Sequence, residues 1–128
     1  MNVVLGSASP RRRDLLQQLG LEFEVIAPEI DESPLQGEAP VAYVLRLAEA
    51  KSAAIEAPAD ALVITADTTV DLDGEILGKP VDAAEAAAML RRLSARTHRV
   101  HTGVALRRGD RLVSEVTTSL VTFTPLTA

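Results

Sequence analysis

The chain has 128 residues, one domain's length, and 47% of them are hydrophobic, enough to build a core. A formal net charge of -5 argues against a general nucleic-acid or anionic-membrane binder, and the local basic cluster, Arg11-Arg12-Arg13, suits a small anion better than a long polyanion. The absence of cysteine excludes disulfides, thiolate zinc sites and cysteine nucleophiles, and fits a reducing cytoplasm.

Only 2% of the residues are aromatic, so the core must be aliphatic. No apolar run approaches the length of a membrane span. The start, Met1-Asn2-Val3-Val4-Leu5-Gly6, lacks the basic residues of a signal peptide and reads as a buried strand. A helix follows from about Pro10 to Leu19, stopped by Gly20. Phe23 to Ile26 reads as a second strand. Three prolines and several acids make residues 28–40 a loop, and a long helix runs from about Val41 to Glu56, ended by Pro58.

Ala61 to Ala66 is a continuous apolar strand of the kind buried on both faces. Leu72 to Leu77 reads as a hairpin turned by Asp73-Gly74. Asp82-Ala83-Ala84-Glu85 is a capping box, opening a helix whose inward stripe is Ala86, Met89, Leu90 and Leu93. Two strands, Thr97 to Leu106 and Arg111 to Phe123, follow across Gly109-Asp110. The pattern predicts one α/β domain over residues 1–128, built on an open, mixed sheet.

Ser7-Ala8-Ser9-Pro10-Arg11-Arg12 joins the first strand to the first helix. Ser9 is a good N-cap and Pro10 suits the first helical position. A helix N-terminus offers unpaired N–H groups and a positive dipole end, which bind phosphate. Arginines are unfavourable in a first turn unless an anion sits in front of them. At about 100° per residue, Arg12 shares a stripe with Leu15, Leu16 and Leu19, Arg11 flanks it, and Arg13 points to solvent. The competing reading is a plain basic patch.

Lys51 falls in the apolar stripe of Val41, Val44, Leu45, Ala48 and Ile55, so it must snorkel or meet a negative partner, such as a phosphate in a cleft. Asp67 follows the buried strand, where open α/β sheets bind ligands; it could hold a divalent metal or activate water, or be an ordinary turn aspartate. Thr68 and Thr69 add hydroxyls at the same end. Gly78-Lys79-Pro80 departs from a Walker loop, though Lys79 could still reach a cleft or lie solvated. His98 and His101, three apart on a strand, face opposite ways and are assigned no ligand role.

Taken in order, Leu5 to Arg12, Glu49-Ala50-Lys51, Ala66-Asp67-Thr68-Thr69-Val70, Gly78-Lys79-Pro80 and His98 to Val104 resemble the Maf family over nearly the whole chain. The resemblance implies a mixed α/β sheet flanked by helices around a central cleft, related in form to inosine triphosphatases. It implies a nucleoside triphosphate pyrophosphatase that cleaves between the α- and β-phosphates and uses a divalent cation, magnesium or manganese. By position, Asp67 would accept the proton of the attacking water. Arg11, Arg12, Lys51 and Lys79 would hold phosphates, Ser7 would line the turn, and Glu32 would join Asp67 at the metal.

Arg11 and Ala66-Asp67-Thr68 are similar to the branch acting on dTTP and UTP, whereas the 7-methyl-GTP branch carries a tryptophan after the proline and Ser-Asp-Gln. Arg12 and Thr68 fall at positions tied to that selectivity. The implied partner is a nucleoside triphosphate; a homodimer is compatible, and neither nucleic acid nor membrane is expected. The family is also linked to arrest of septum formation, which leaves a nucleotide-binding regulator open. Family elements beyond residue 128, including a helix and a base-selecting glutamine, have no match here. The expectation is a fragment or truncated member, with part of its cleft missing when isolated.

Overall fold

A computed structural model describes residues 2–7, 10–20, 22–78 and 80–126, with the Pro10 side chain outside the description. The elements are β1 (Val3–Gly6), α1 (Pro10–Gln18), β2 (Glu24–Val25), α2 (Pro40–Ala54), β3 (Leu62–Leu72), β4 (Glu75–Leu77), α3 (Ala83–Leu93), β5 (Thr97–Arg108) and β6 (Arg111–Thr122). Among the described residues six strands form one sheet in the order β2-β1-β3-β5-β6, with β4 paired to β3. β1 runs parallel to β2 and β3, while β3, β4, β5 and β6 pair antiparallel, so the sheet is mixed as expected. No helix among the described residues is long and apolar enough to cross a membrane.

β3 is longer than its apolar run. Thr68, Thr69 and Val70 are β-branched and continue the extended backbone, and β5 pairs with it from Val63 to Asp71. Asp67 therefore lies inside the strand rather than after it. It is β1 that stops early, at Gly6 beside Thr65, so Asp67 lies beyond the carboxyl end of β1 alone. The turn between β3 and β4 forms at Asp73-Gly74, both with positive φ (53° and 89°), as an Asp-Gly hairpin requires. Phe23 to Ile26 contributes only the two exposed residues of β2.

Strand alternation assigns two faces. Thr65, Asp67, Thr69 and Asp71 face α2, and Thr65 Oγ1 donates to the Ala48 carbonyl at 2.6 Å. Tyr43, Val44 and Leu47 of α2 pack with Ile30, Ile76 and Val116 on that side. Ala66, Thr68, Val70 and Leu72 face the other way, where Leu72, Leu77 and Leu93 form a second cluster with Met89 and Phe123. Asp82 caps α3 by accepting the Glu85 N–H at 2.8 Å.

The helix stripes differ from expectation in three places. Val41 of α2 and Leu90 of α3 are exposed, because the buried face of α2 turns through Tyr43 and Leu47, and only Leu93 of α3 is fully buried. In α1, Leu15 and Leu19 are 60% and 72% exposed, so among the described residues its apolar stripe covers little.

His101 and Asp71 form a buried pair on the α2 face. Asp71 Oδ2 lies 2.7 Å from His101 Nε2, Thr118 Oγ1 lies 2.8 Å from Nδ1, and Asp71 Oδ1 accepts the Gly74 N–H at 2.7 Å. Burial alone would raise the Asp71 pKa, but the hydrogen bonds from His101 and Gly74 outweigh it and hold the carboxyl below its ordinary value. A carboxyl depressed in the fold stabilises above its unfolded pKa, and that contribution disappears as pH falls through the native value. Urea denaturation is expected to show stability falling below about pH 4, with Asp71→Asn flattening this acid limb. His98 faces the opposite side, edge-on to Phe123 at 5.0 Å between ring centroids.

Candidate active site

The site forms where one edge of β3 has no neighbour. β1 pairs with β3 as far as Thr65, and β4 begins pairing at Val70. Among the described residues, 66 to 69 therefore face a gap on that edge while β5 holds the other. A cleft of about 600 Å³ opens there, with Glu32, Asp67, Thr68, Tyr43, Ile76 and Met89 among its walls. Side chains from both faces of the sheet reach one opening because no strand separates them.

On the α1 side, Arg12 bends back over the end of β1. Its Nη2 donates to Thr68 Oγ1 at 2.8 Å, and its Nη1 donates to Ser7 Oγ at 3.2 Å and to the Ala66 carbonyl at 3.5 Å. Partial burial pushes the Arg12 pKa down and the nearby Asp67 charge acts against this, so the guanidinium and the carboxylate sense each other across the gap. Arg11 and Arg13 are both exposed. Ser9 and Lys79 lie outside the described residues, although Gly78 and Pro80 border the cleft.

On the α2 side, Lys51 meets carboxylates. Its Nζ lies 2.7 Å from Asp67 Oδ1 and 3.3 Å from Glu32 Oε1, with the Lys51 and Asp67 side chains only 15% and 12% exposed. The apolar stripe holds a lysine because a strand aspartate and a loop glutamate receive it. Positive charge thus already sits between Glu32 and Asp67, which fits these two carboxylates to a cation. Magnesium commonly takes one or two carboxylates and completes its shell with water and phosphate oxygens. No group of three or more His, Asp or Glu among the described residues could hold a metal by itself.

Glu32 is brought there by residues that periodicity does not reveal. Tyr43, the chain's one tyrosine, donates its hydroxyl to the Glu32 carbonyl at 2.5 Å. Burial, together with the Asp67 and Glu32 charges, raises the Tyr43 pKa and keeps that donor protonated. Arg46 grips Glu38 through two hydrogen bonds of 2.7 and 2.9 Å and donates to the Ser33 carbonyl. These contacts tie the proline-rich loop to α2 at Glu32 and in the residues that follow it. Tyr43 could have been noticed as a lone polar aromatic on an apolar stripe; Arg46 carries no such signal.

The Maf-like protein family model matches residues 2–128, and the matched span contains every motif around this cleft. This chain belongs to the Maf family. A dTTP/UTP pyrophosphatase of Cereibacter sphaeroides is 55% identical over 113 residues, covering 88% of this chain and 59% of that protein. One from Myxococcus xanthus is 59% identical over 105 residues (81% and 54%), and one from Symbiobacterium thermophilum is 48% identical over 126 (97% and 64%). The Maf chain thus spans between 54% and 64% of the length of these relatives. Two solved structures share the fold. A nucleoside-triphosphatase / dITP/XTP pyrophosphatase from Mycobacterium abscessus aligns with TM-score 0.55 at 18% identity, covering 95% of this chain and 74% of that one. A HAM1 protein from Coxiella burnetii aligns at 0.58 and 16%, covering 95% and 72%.

Proposed function

We propose that this Maf chain carries the phosphate-gripping and acid-bearing part of a nucleoside triphosphate pyrophosphatase acting on dTTP and UTP in the cytoplasm. One observation supports it above the others: Lys51 joins Asp67 to Glu32 on one side of the β3 gap, while Arg12 and Thr68 stand on the other. Cations and a base are thereby grouped around an opening large enough for a nucleotide. The names of the relatives supply the substrate.

A triphosphate repels an incoming nucleophile, so its charge must be neutralised and its water deprotonated. Asp67 accepts the proton as the water oxygen joins phosphorus and the anhydride link between the α- and β-phosphates breaks, leaving monophosphate and pyrophosphate. Arg12 and Lys51 hold phosphate oxygens, with Ser7 lining the turn. Arg11 and Lys79 are assigned to phosphate by their family positions. Glu32 and Asp67 would hold magnesium or manganese, which supplies further charge neutralisation when bound. Lys51 then exchanges its carboxylate partners for phosphate.

Pyrophosphate release measured over a panel of nucleoside triphosphates with magnesium or manganese tests this reading. Release from dTTP and UTP, and little from purine nucleotides, is the expected result. Nucleotide-induced stabilisation without release would instead mark a nucleotide-binding protein, and neither response would end the reading. Lys51→Ala is expected to raise KM or lower kcat by about tenfold, as loss of a charged hydrogen bond does. A lower melting temperature with normal kinetics would assign Lys51 a structural role only.

A further inference from the structure

The segment His98 to Val104 of β5 contains a polar side chain beside the candidate site, Thr102, that the fold and the proposed chemistry leave over. His98 packs on Phe123, His101 pairs with Asp71, and Gly103 lets α2 approach the sheet. Thr102 does none of these. It stands directly opposite Thr68 in the β3–β5 register, on the face that carries Arg12, and its Oγ1 lies 3.0 Å from Thr68 Oγ1. Thr68 Oγ1 in turn accepts from Arg12 Nη2 at 2.8 Å.

The geometry points to Thr102 as a positioning residue that sets the Thr68 hydroxyl, and through it the Arg12 guanidinium, for nucleotide recognition. A threonine hydroxyl has one hydrogen and two lone pairs. With one lone pair given to Arg12, the remaining groups of Thr68 are free to turn unless something else engages them. Thr102 engages them whichever oxygen donates. If Thr68 donates, its oxygen becomes a stronger acceptor for Arg12; if Thr102 donates, the Thr68 hydrogen is left to point at the cleft. Both cases hold the Thr68 rotamer.

The guanidinium is a planar fork whose donors are useful to a ligand only when its plane is fixed. Ser7 and the Ala66 carbonyl engage Nη1, at 3.2 and 3.5 Å, so the Thr68 bond is the shortest of the three. A fork held before the nucleotide arrives loses less freedom on binding it. Thr102 thus acts on nucleotide affinity from the neighbouring strand, through Thr68 and Arg12. This consequence rests on the nucleotide reading above; the ordering of Arg12 does not.

Two measurements separate the parts. In this chain labelled with ¹⁵N-arginine and free of nucleotide, the Arg12 side-chain signals should report restrained rotation. Thr102→Val, which keeps the branched shape without the hydroxyl, should release it, and Thr102→Ser should restore it. An Arg12 spectrum unchanged by Thr102→Val overturns the inference, whether or not any nucleotide is turned over. In kinetics, Thr102→Val should raise the KM for dTTP by about three- to tenfold, the worth of one hydrogen bond, with kcat changed less. It should add nothing in a Thr68→Val background. An equal loss in both backgrounds would show that Thr102 acts independently of Thr68 and would also overturn it. A wild-type chain inert toward every nucleotide would sink the pyrophosphatase reading while the spectrum still decided the positioning role.

Discussion

Replacing Asp67 by asparagine is expected to lower pyrophosphate release by about 10²–10⁴-fold, the usual contribution of a positioned acid or base. Asparagine keeps the shape and can still accept from Lys51, which lies 2.7 Å from Oδ1. What it loses is the negative charge and the basic oxygen. Lys51 retains Glu32 as a partner, so the surrounding contacts should survive. Nucleotide binding measured without divalent metal should persist as well, because a carboxylate facing a triphosphate repels it. The check is paired: pyrophosphate release, and melting temperature with and without dTTP. At ligand near 100 times Kd, retained binding should stabilise the protein by about 2.7 kcal/mol. Near-normal release by the variant would remove Asp67 from the chemistry.

Gly103→Ala should produce the largest loss of stability. A Cβ at residue 103 would stand 2.6 Å from the Val44 carbonyl oxygen and 2.7 Å from its carbon. Those atoms are α2 main chain and cannot rotate aside, so the helix must lift from the sheet. Overpacking of this kind costs about 1–3 kcal/mol, and the upper end is expected against backbone. Thermal denaturation should show a melting temperature lower by about 10 °C. Gly6→Ala makes a useful contrast. Its Cβ would meet side-chain atoms only: Ile55 Cδ1, which can swing aside, and Thr65 Cγ2, which the Thr65 hydrogen bond to Ala48 holds in place, so a smaller but real loss is expected. A lifted α2 also carries Lys51 away from Asp67, so turnover should fall along with stability in Gly103→Ala. Equal melting temperatures for Gly103→Ala and the parent would refute the close approach.

Much of this was readable in one dimension because local chemistry dictated it. Asp73-Gly74 makes the hairpin and Asp82 caps α3 through Glu85, whereas α2 runs Pro40–Ala54 rather than from Val41 to Glu56. The ordered motifs were enough to indicate the family. Helix stripes were less reliable, since which residues a helix buries depends on what it packs against. Leu15 and Leu19 follow helical spacing and remain exposed. Tyr43, Arg46 and Thr102 escaped notice for another reason. Each acts through a partner 8 to 34 positions away in sequence, and no periodic pattern marks such contacts.

The open edge of β3 shows where the division falls. Residue types alone singled out a cationic helix start, a misplaced lysine and an aspartate placed just after the buried strand. They could not determine that Arg12 and Lys51 come from opposite faces of the sheet. Alternation along β3 puts Asp67 and Thr68 on different sides, and a continuous sheet would have kept their partners apart. Only the register decided otherwise: among the described residues β1 pairs with β3 only as far as Thr65 and β4 only from Val70, leaving an open edge around which both sets of side chains meet.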